Sequence, residues 1–172
     1  MTKIITTVIL FFCFTSFSLA QKLDLNLIEK LTNIAFHSSL DDLMIHGYGF
    51  KKLREEDKGL TRVYARYNGD LDIAMMISII SSSKSIESEV YGVKHFERIP
   101  NILEIAVDRN YNIASIKDDI ISKGFEYVGT NEALVVYKKG KYTYLIKKEP
   151  NKSGVTHISL INEDYVRLVL TD

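Results

Sequence analysis

The side chains that could hold a metal ion are dispersed along the chain. No two of its four histidines have the i, i+4 spacing by which a helix presents two ligands to one metal, and no cysteine or glutamate accompanies them in a ligand pattern. The histidines are His37, His46, His95 and His157. The sequence therefore predicts no metal site and no cofactor, and we interpret these histidines as surface or structural residues.

Ser81 and Lys84 have the Ser-x-x-Lys spacing of penicillin-binding proteins and serine β-lactamases, in which the lysine lies near a nucleophilic serine. That chemistry needs a helix N-terminus and companion Ser-Asp-Asn and Lys-Thr-Gly motifs, and the sequence contains neither motif. Here the serines follow a predicted strand and precede charged residues. We interpret the segment as a solvated loop.

Some carboxylates are adjacent in the sequence, so their side chains would diverge by about 100° on a helix and would not form the facing pair of a glycosidase. Such pairs include Asp41-Asp42, Glu55-Glu56 and Asp118-Asp119. Glu87 and Glu89 would share one strand face, but two carboxylates alone are typical of a solvated surface. No catalytic residue is predicted, and we expect a protein that is not an enzyme.

The first twenty residues have the parts of a signal peptide. Lys3 supplies the positive start, an uncharged segment follows with its densest apolar part at 8–14, and the small residues Ser18 and Ala20 suit a cleavage site. The unbroken apolar run is too short to cross a bilayer core of about 30 Å. We expect cleavage after Ala20, export to the periplasm or the cell exterior, and no stable membrane anchor afterwards.

Residues 21–172 have the composition of one folded domain without disulfides. Cleavage would remove Lys3 and Cys13, the one cysteine, leaving 21 basic and 22 acidic residues. Because such a balance gives no field that gathers phosphate backbones, nucleic acid is not an expected partner. Stability must come from a hydrophobic core, for which the length suffices.

Two segments of the chain share one helix pattern. Each begins with a Ser-x-x-Asp spacing typical of a helix cap, at 39–42 and at 115–118, and continues with apolar residues at helical intervals. Each ends with a glycine and a phenylalanine, at Gly49-Phe50 and Gly124-Phe125. An earlier helix is expected from about Leu25 to Phe36.

Extended segments follow each helix, with turn compositions at 68–70 and 139–141. The longest alternates as a half-buried antiparallel strand does, with apolar residues at Leu71, Ile73, Met75, Ile77 and Ile79. We predict one α+β domain over 21–172. Two tandem units, about 23–99 and 100–172, each a helix followed by three or four strands, would share one mainly antiparallel sheet with the helices packed on one face.

A sheet with helices on one face leaves its other face for a partner. Placing Val63 and Ala65 inward predicts an outward surface made of tyrosine and arginine, the residues that contribute most energy in protein interfaces. Its predicted members are Arg62, Tyr64, Arg66 and Tyr137. The alternative is that the tyrosines stabilise the sheet as cross-strand pairs.

Two functions follow as hypotheses. The first is an exported, non-enzymatic protein that binds another protein or an envelope component through this sheet face. The second is a carrier of a small molecule or lipid, with a pocket between the sheet and the helices.

The predicted tandem units of a helix and three strands resemble the secreted β-lactamase inhibitor proteins. The resemblance is one of architecture across the mature chain. It implies a concave sheet face that binds another protein, although the disulfides of that family have no counterpart here.

Overall fold

The structure is a computed structural model that describes residues 23–33, 38–56, 60–69, 72–81, 86–90, 93–97 and 100–163, with backbone only for 38, 86–90 and 93–97. The predicted signal peptide, its cleavage site, His37 and Lys84 lie outside this description. Over these described ranges there are three α-helices: α1 Leu25–Asn33, α2 Ser38–Asp42, which continues into a π-helical turn at Leu43–Gly47, and α3 Ile113–Ser122.

Ten strands are described, and all their pairings are antiparallel. They are β1 Lys51–Glu56, β2 Thr61–Asn68, β3 Asp72–Ser81, β4 Ile86–Val90, β5 Val93–Glu97, β6 Pro100–Val107, β7 Glu126–Thr130, β8 Leu134–Lys139, β9 Tyr142–Lys147 and β10 Thr156–Asn162. Eight form one sheet in the order β1-β2-β3-β6-β10-β9-β8-β7, and β4 and β5 form a separate hairpin. The predicted α+β class with an antiparallel sheet is confirmed.

One buried cluster contains residues of the helices and of the sheet. Leu27, Ile28 and Leu31 contribute from α1, spaced as on one side of a helix. On β6, Leu103 and Ile105 belong to the cluster, whereas the alternate residues Ile102 and Glu104 do not. We call the side of the sheet that contributes to this cluster the inner face and the opposite side the outer face, because successive strand residues point to opposite sides.

The alternation predicted for β3 is confirmed in its second half. Met75, Ile77 and Ile79 are buried in the cluster, but Ile73 is 45 % exposed. The β2–β3 register shifts between Arg66 and Tyr67, opposite the start of β3. Beyond such a shift the two-residue alternation no longer predicts which side chain is buried.

Both predicted glycine-phenylalanine helix ends are present. Gly49 has φ +69° and Gly124 has φ +84°, the left-handed region that favours glycine, and Phe50 and Phe125 are buried directly after them. The sequence pattern places the cap of α3 at Ser115, and this prediction is wrong. Asn112 caps the helix, because its side chain accepts a hydrogen bond from the backbone N–H of Ser115 at 3.2 Å.

Gly124→Ala should destabilise the protein by about 1 kcal/mol, because alanine adopts the left-handed conformation at a cost of about 1–2 kcal/mol. Space is not the obstacle, since a Cβ there would lie 3.7 Å from the end of Lys139, an ordinary contact. The measurement is urea unfolding. Gly47→Ala is the matched control, because Gly47 lies in the π-helical turn without a positive φ, and it should be neutral or stabilising. Equal losses in the two variants would contradict this role for Gly124.

Candidate functional site

The orientation predicted for the four candidate binding residues is wrong. Tyr64 and Tyr137 are 0 % and 5 % exposed, and both belong to the inner-face cluster. Arg66 also lies on this side, where its Nη2 donates to the hydroxyl of Tyr111 at 2.6 Å and its guanidinium lies 5.4 Å from the centre of the Phe50 ring. A tyrosine ring can bury its large area and keep a hydrogen bond at its hydroxyl.

Asp41, at the end of α2, explains why Tyr64 and Arg62 point inward. Its carboxylate accepts a hydrogen bond from the Tyr64 hydroxyl and one from Nη1 of Arg62 at 3.3 Å. Nζ of Lys52 donates to the same carboxylate at 3.0 Å and to Glu55 at 2.6 Å. We call Asp41, Lys52, Glu55, Arg62 and Tyr64 the Asp41 network, which ties α2 to β1 and β2.

Opposing effects act on the pKa of Asp41. Burial raises this pKa. The hydrogen bonds from Tyr64 and Lys52, together with the charges of Arg62 and Lys52, lower it by more than burial raises it. The pKa of Asp41 therefore lies below its ordinary value of 3.8. Burial and the hydrogen bond to Asp41 raise the pKa of Tyr64. At neutral pH the network therefore holds an ionised carboxylate and a neutral tyrosine, an arrangement that stabilises structure.

The other tyrosine of the predicted site, Tyr137, packs edge to face against Tyr127, with ring centres 5.9 Å apart. Tyr127 is on the edge strand β7 and is 57 % exposed. Burial, with the nearby Tyr127 and Asp118, raises the pKa of Tyr137. The ring pair is the cross-strand arrangement that the sequence left as an alternative.

The outer face carries a different set of residues, brought together by the strand register. Ile161 on β10 pairs with Ile102 on β6, and Ile102 pairs with Ile80 on β3. All three isoleucines are half-buried. They form a continuous apolar row across the three central strands.

A second row runs parallel to the isoleucines. Leu145 on β9 pairs with Ser159 on β10, Ser159 with Glu104 on β6, and Glu104 with Ser78 on β3. Glu104 is exposed, and the two serines beside it are half-buried. The centre of the outer face therefore combines aliphatic side chains with two serines and one exposed carboxylate.

This surface is bounded at both ends, by polar groups at one end and by buried side chains at the other. Near β8 and β9, Glu163 accepts hydrogen bonds from Nζ of Lys138 at 2.8 Å and from the Thr143 hydroxyl at 2.7 Å. Toward β1, Val63 and Ala65 are 1 % and 0 % exposed and lie outside the inner cluster, so the accessible part of the face does not extend over β2. An apolar centre inside a polar rim is the usual anatomy of a protein interface.

Concerning other chemistry, the described residues contain no group of three or more histidine, cysteine, aspartate or glutamate side chains that could hold a metal ion. His157 lies on β10 with a half-buried side chain, and His46 is exposed in the π-helical turn. Over the same described ranges, every helix is too short or too polar to cross a membrane.

No protein-family model, no curated protein and no solved structure matches this chain at a significant level. The outer face is accordingly interpreted from its own geometry. Sequence reasoning missed it because its members are aliphatic residues, which a pattern assigns to the core. The signal that could have located it is the pairing of Ile80, Ile102 and Ile161, which depends on strand register.

Asp41→Asn should destabilise the protein at pH 7 by about 1–3 kcal/mol, because the Tyr64, Lys52 and Arg62 groups would lose a charged acceptor. A group whose folded-state pKa is depressed contributes stability above its unfolded pKa and loses it as the pH falls through the folded pKa. The difference between wild type and variant, measured by urea unfolding, should therefore shrink toward about pH 2. Asp42→Asn, at the exposed neighbouring residue, is the control and should change little at any pH. A penalty that does not vary with pH would contradict the assignment.

Proposed function

We propose that this chain is an exported, non-enzymatic binding protein that contacts another protein through the outer face of its sheet. The row Ile80, Ile102 and Ile161 is the observation that carries the proposal. Partly exposed aliphatic side chains that adjoin on three neighbouring strands form a contiguous patch, and such patches mark interaction sites.

The chemistry of the face defines the kind of partner. Its aliphatic centre requires an apolar surface on the partner, which would bury Ile102 and its neighbours. Among the residues that the structure describes, Glu104 makes no hydrogen bond or ion pair, so its carboxylate would need a cation when the surface is covered. We therefore infer a partner that presents an apolar strip with a lysine or arginine at its middle.

We further propose that the fold consists of two tandem units, with all the described helices on the inner face of the sheet. The strand order supports this, because it reads β1-β2-β3-β6 from one edge and β7-β8-β9-β10 from the other. The matching strands β6 and β10 meet at the centre, and the β4–β5 hairpin would be an insertion in the first unit. We place the boundary after β6, near 108–112, instead of at residue 99.

Capture of the partner should depend on outer-face residues. Glu104→Lys and Ile102→Arg should each weaken binding of a partner captured from the envelope fraction by about 2 kcal/mol or more, roughly 30-fold, the scale of an interface hot spot. The measurement is titration of the captured partner by calorimetry. Glu104 is exposed, so Glu104→Lys should leave thermal unfolding nearly unchanged.

The control is Ile121→Arg, because Ile121 is 51 % exposed on α3, away from the outer face. It should leave capture unchanged. Tyr64→Phe with Tyr137→Phe tests the residues that the sequence predicted for binding, a role that stays a prediction. Loss of capture in this double variant, with none in Glu104→Lys, would move the binding surface to the inner-face residues and refute the outer face.

Export is tested separately. The positive start and the Ser18-x-Ala20 pattern support removal of the first twenty residues by signal peptidase. The protein recovered from the culture medium or periplasm should have, by intact-mass spectrometry, an N-terminus at Gln21. Ala20→Asp should block processing, while Gln21→Glu should not. Full-length protein in the soluble cell fraction would contradict the proposal.

A further inference from the structure

A pocket of about 460 Å³ lies between α1 and the β8–β9 turn, on the inner side of the sheet. Its volume is within the range of about 300–1,000 Å³ that is typical of small-molecule sites. It is distinct from the outer face. The pocket has an apolar floor and a charged mouth.

The floor consists of side chains that are nearly inaccessible to bulk water. Phe125, Tyr144 and Leu160 are 6 %, 1 % and 3 % exposed, and all three line the pocket. The rings of Phe125 and Tyr144 pack edge to face with their centres 4.9 Å apart. Because these side chains already pack against one another, an apolar ligand would meet a preformed floor.

The mouth carries positive charge. Lys139 and Lys141 line it from the β8–β9 turn, each with its ammonium over an aromatic ring, at 5.7 Å from the centre of Phe125 and 5.5 Å from that of Tyr142. The hydrogen bond that Nζ of Lys139 donates, at 2.6 Å, goes to the backbone carbonyl of Lys123. A carbonyl is neutral, so it leaves the charge of Lys139 uncancelled.

The acidic side chain at the mouth of the pocket already forms an ion pair. Glu29 lines the pocket from α1, and its carboxylate lies 3.2 Å from Nζ of Lys123. Its charge is thereby balanced by a lysine that does not line this pocket. The remaining polar wall is neutral, formed by Thr32 and Asn33. Because the charge of Lys139 is not cancelled and that of Glu29 is, the opening favours an anion at Lys139.

We propose that this pocket binds a small amphipathic carboxylate, with its apolar body on Phe125, Tyr144 and Leu160 and its acid group at Lys139. The observations favour this class over a neutral lipid because the floor and the cationic mouth adjoin. The ammonium of Lys139 already lies over the Phe125 ring, so one ligand of modest length reaches both.

Decanoate is the probe, with decanol as its uncharged counterpart, each used below the concentration at which it aggregates. Calorimetry should show decanoate binding to the protein about tenfold more tightly than decanol, as expected for one charge-assisted hydrogen bond. The amide signals that shift in ¹⁵N NMR spectra should belong to α1, Phe125 and the β8–β9 turn. Equal affinities, no binding, or shifts confined to the outer face would each overturn the proposal.

Two variants test the geometry. Lys139→Gln should lose about tenfold in decanoate affinity and leave decanol binding unchanged. Lys138→Gln is the matched control, because Lys138 is the preceding residue of β8 and pairs with Glu163 on the outer side. It should change neither ligand. If both lysine variants weaken decanoate equally, the site at Lys139 is refuted.

Asn33→Trp should fill the opening and abolish binding of both ligands. Asn33 is exposed at the last residue of α1, so unfolding should change little. Retained binding would overturn the location. Weakened decanoate binding in Lys139→Gln with normal partner capture would show that the pocket and the outer face act independently, so that either proposal can fail alone.

Discussion

The pairing of β6 with β10 joins the two halves of the sheet, and the geometry of both faces depends on it. Six residue pairs connect these strands without a register shift. Because side chains alternate strictly along both strands, the pairing places Leu103 and Leu160 in the buried cluster and Ile102 and Ile161 on the other side. A slip by one residue would exchange these sets, exposing the core and burying Glu104.

The Asp41 network shows that this sheet also uses buried polar groups to position a helix. Tyr64 contributes a fully buried ring and a hydroxyl that binds the end of α2. Three donors bind one carboxylate, so removing one donor leaves the carboxylate with two hydrogen bonds. Removing Asp41 leaves all three donors without this acceptor. The polar cluster that looks most like a reactive site is thus a tether between elements.

Local sequence patterns predicted the elements better than they predicted the surfaces. Alternation and turn residues indicated the antiparallel sheet, and Gly49 and Gly124 indicated where helical segments end. The side of β2 could not be deduced, because Tyr64 and Val63 are both buried, on opposite faces. Asp41 and Tyr64 are 23 residues apart, and Glu29 and Tyr142 meet in the pocket only through tertiary packing. No local sequence pattern predicts contacts between residues so far apart in the chain.

The two outermost strands of the eight-stranded sheet share one irregularity, a register shift near the middle. In β1 it falls between Lys52 and Arg54, and in β7 between Tyr127 and Gly129. A bulge puts the free backbone groups of an edge out of phase with those of an incoming strand, and β1 also carries charged side chains on most of its length. Edge-to-edge pairing with another copy of the chain is therefore disfavoured at both margins of this sheet.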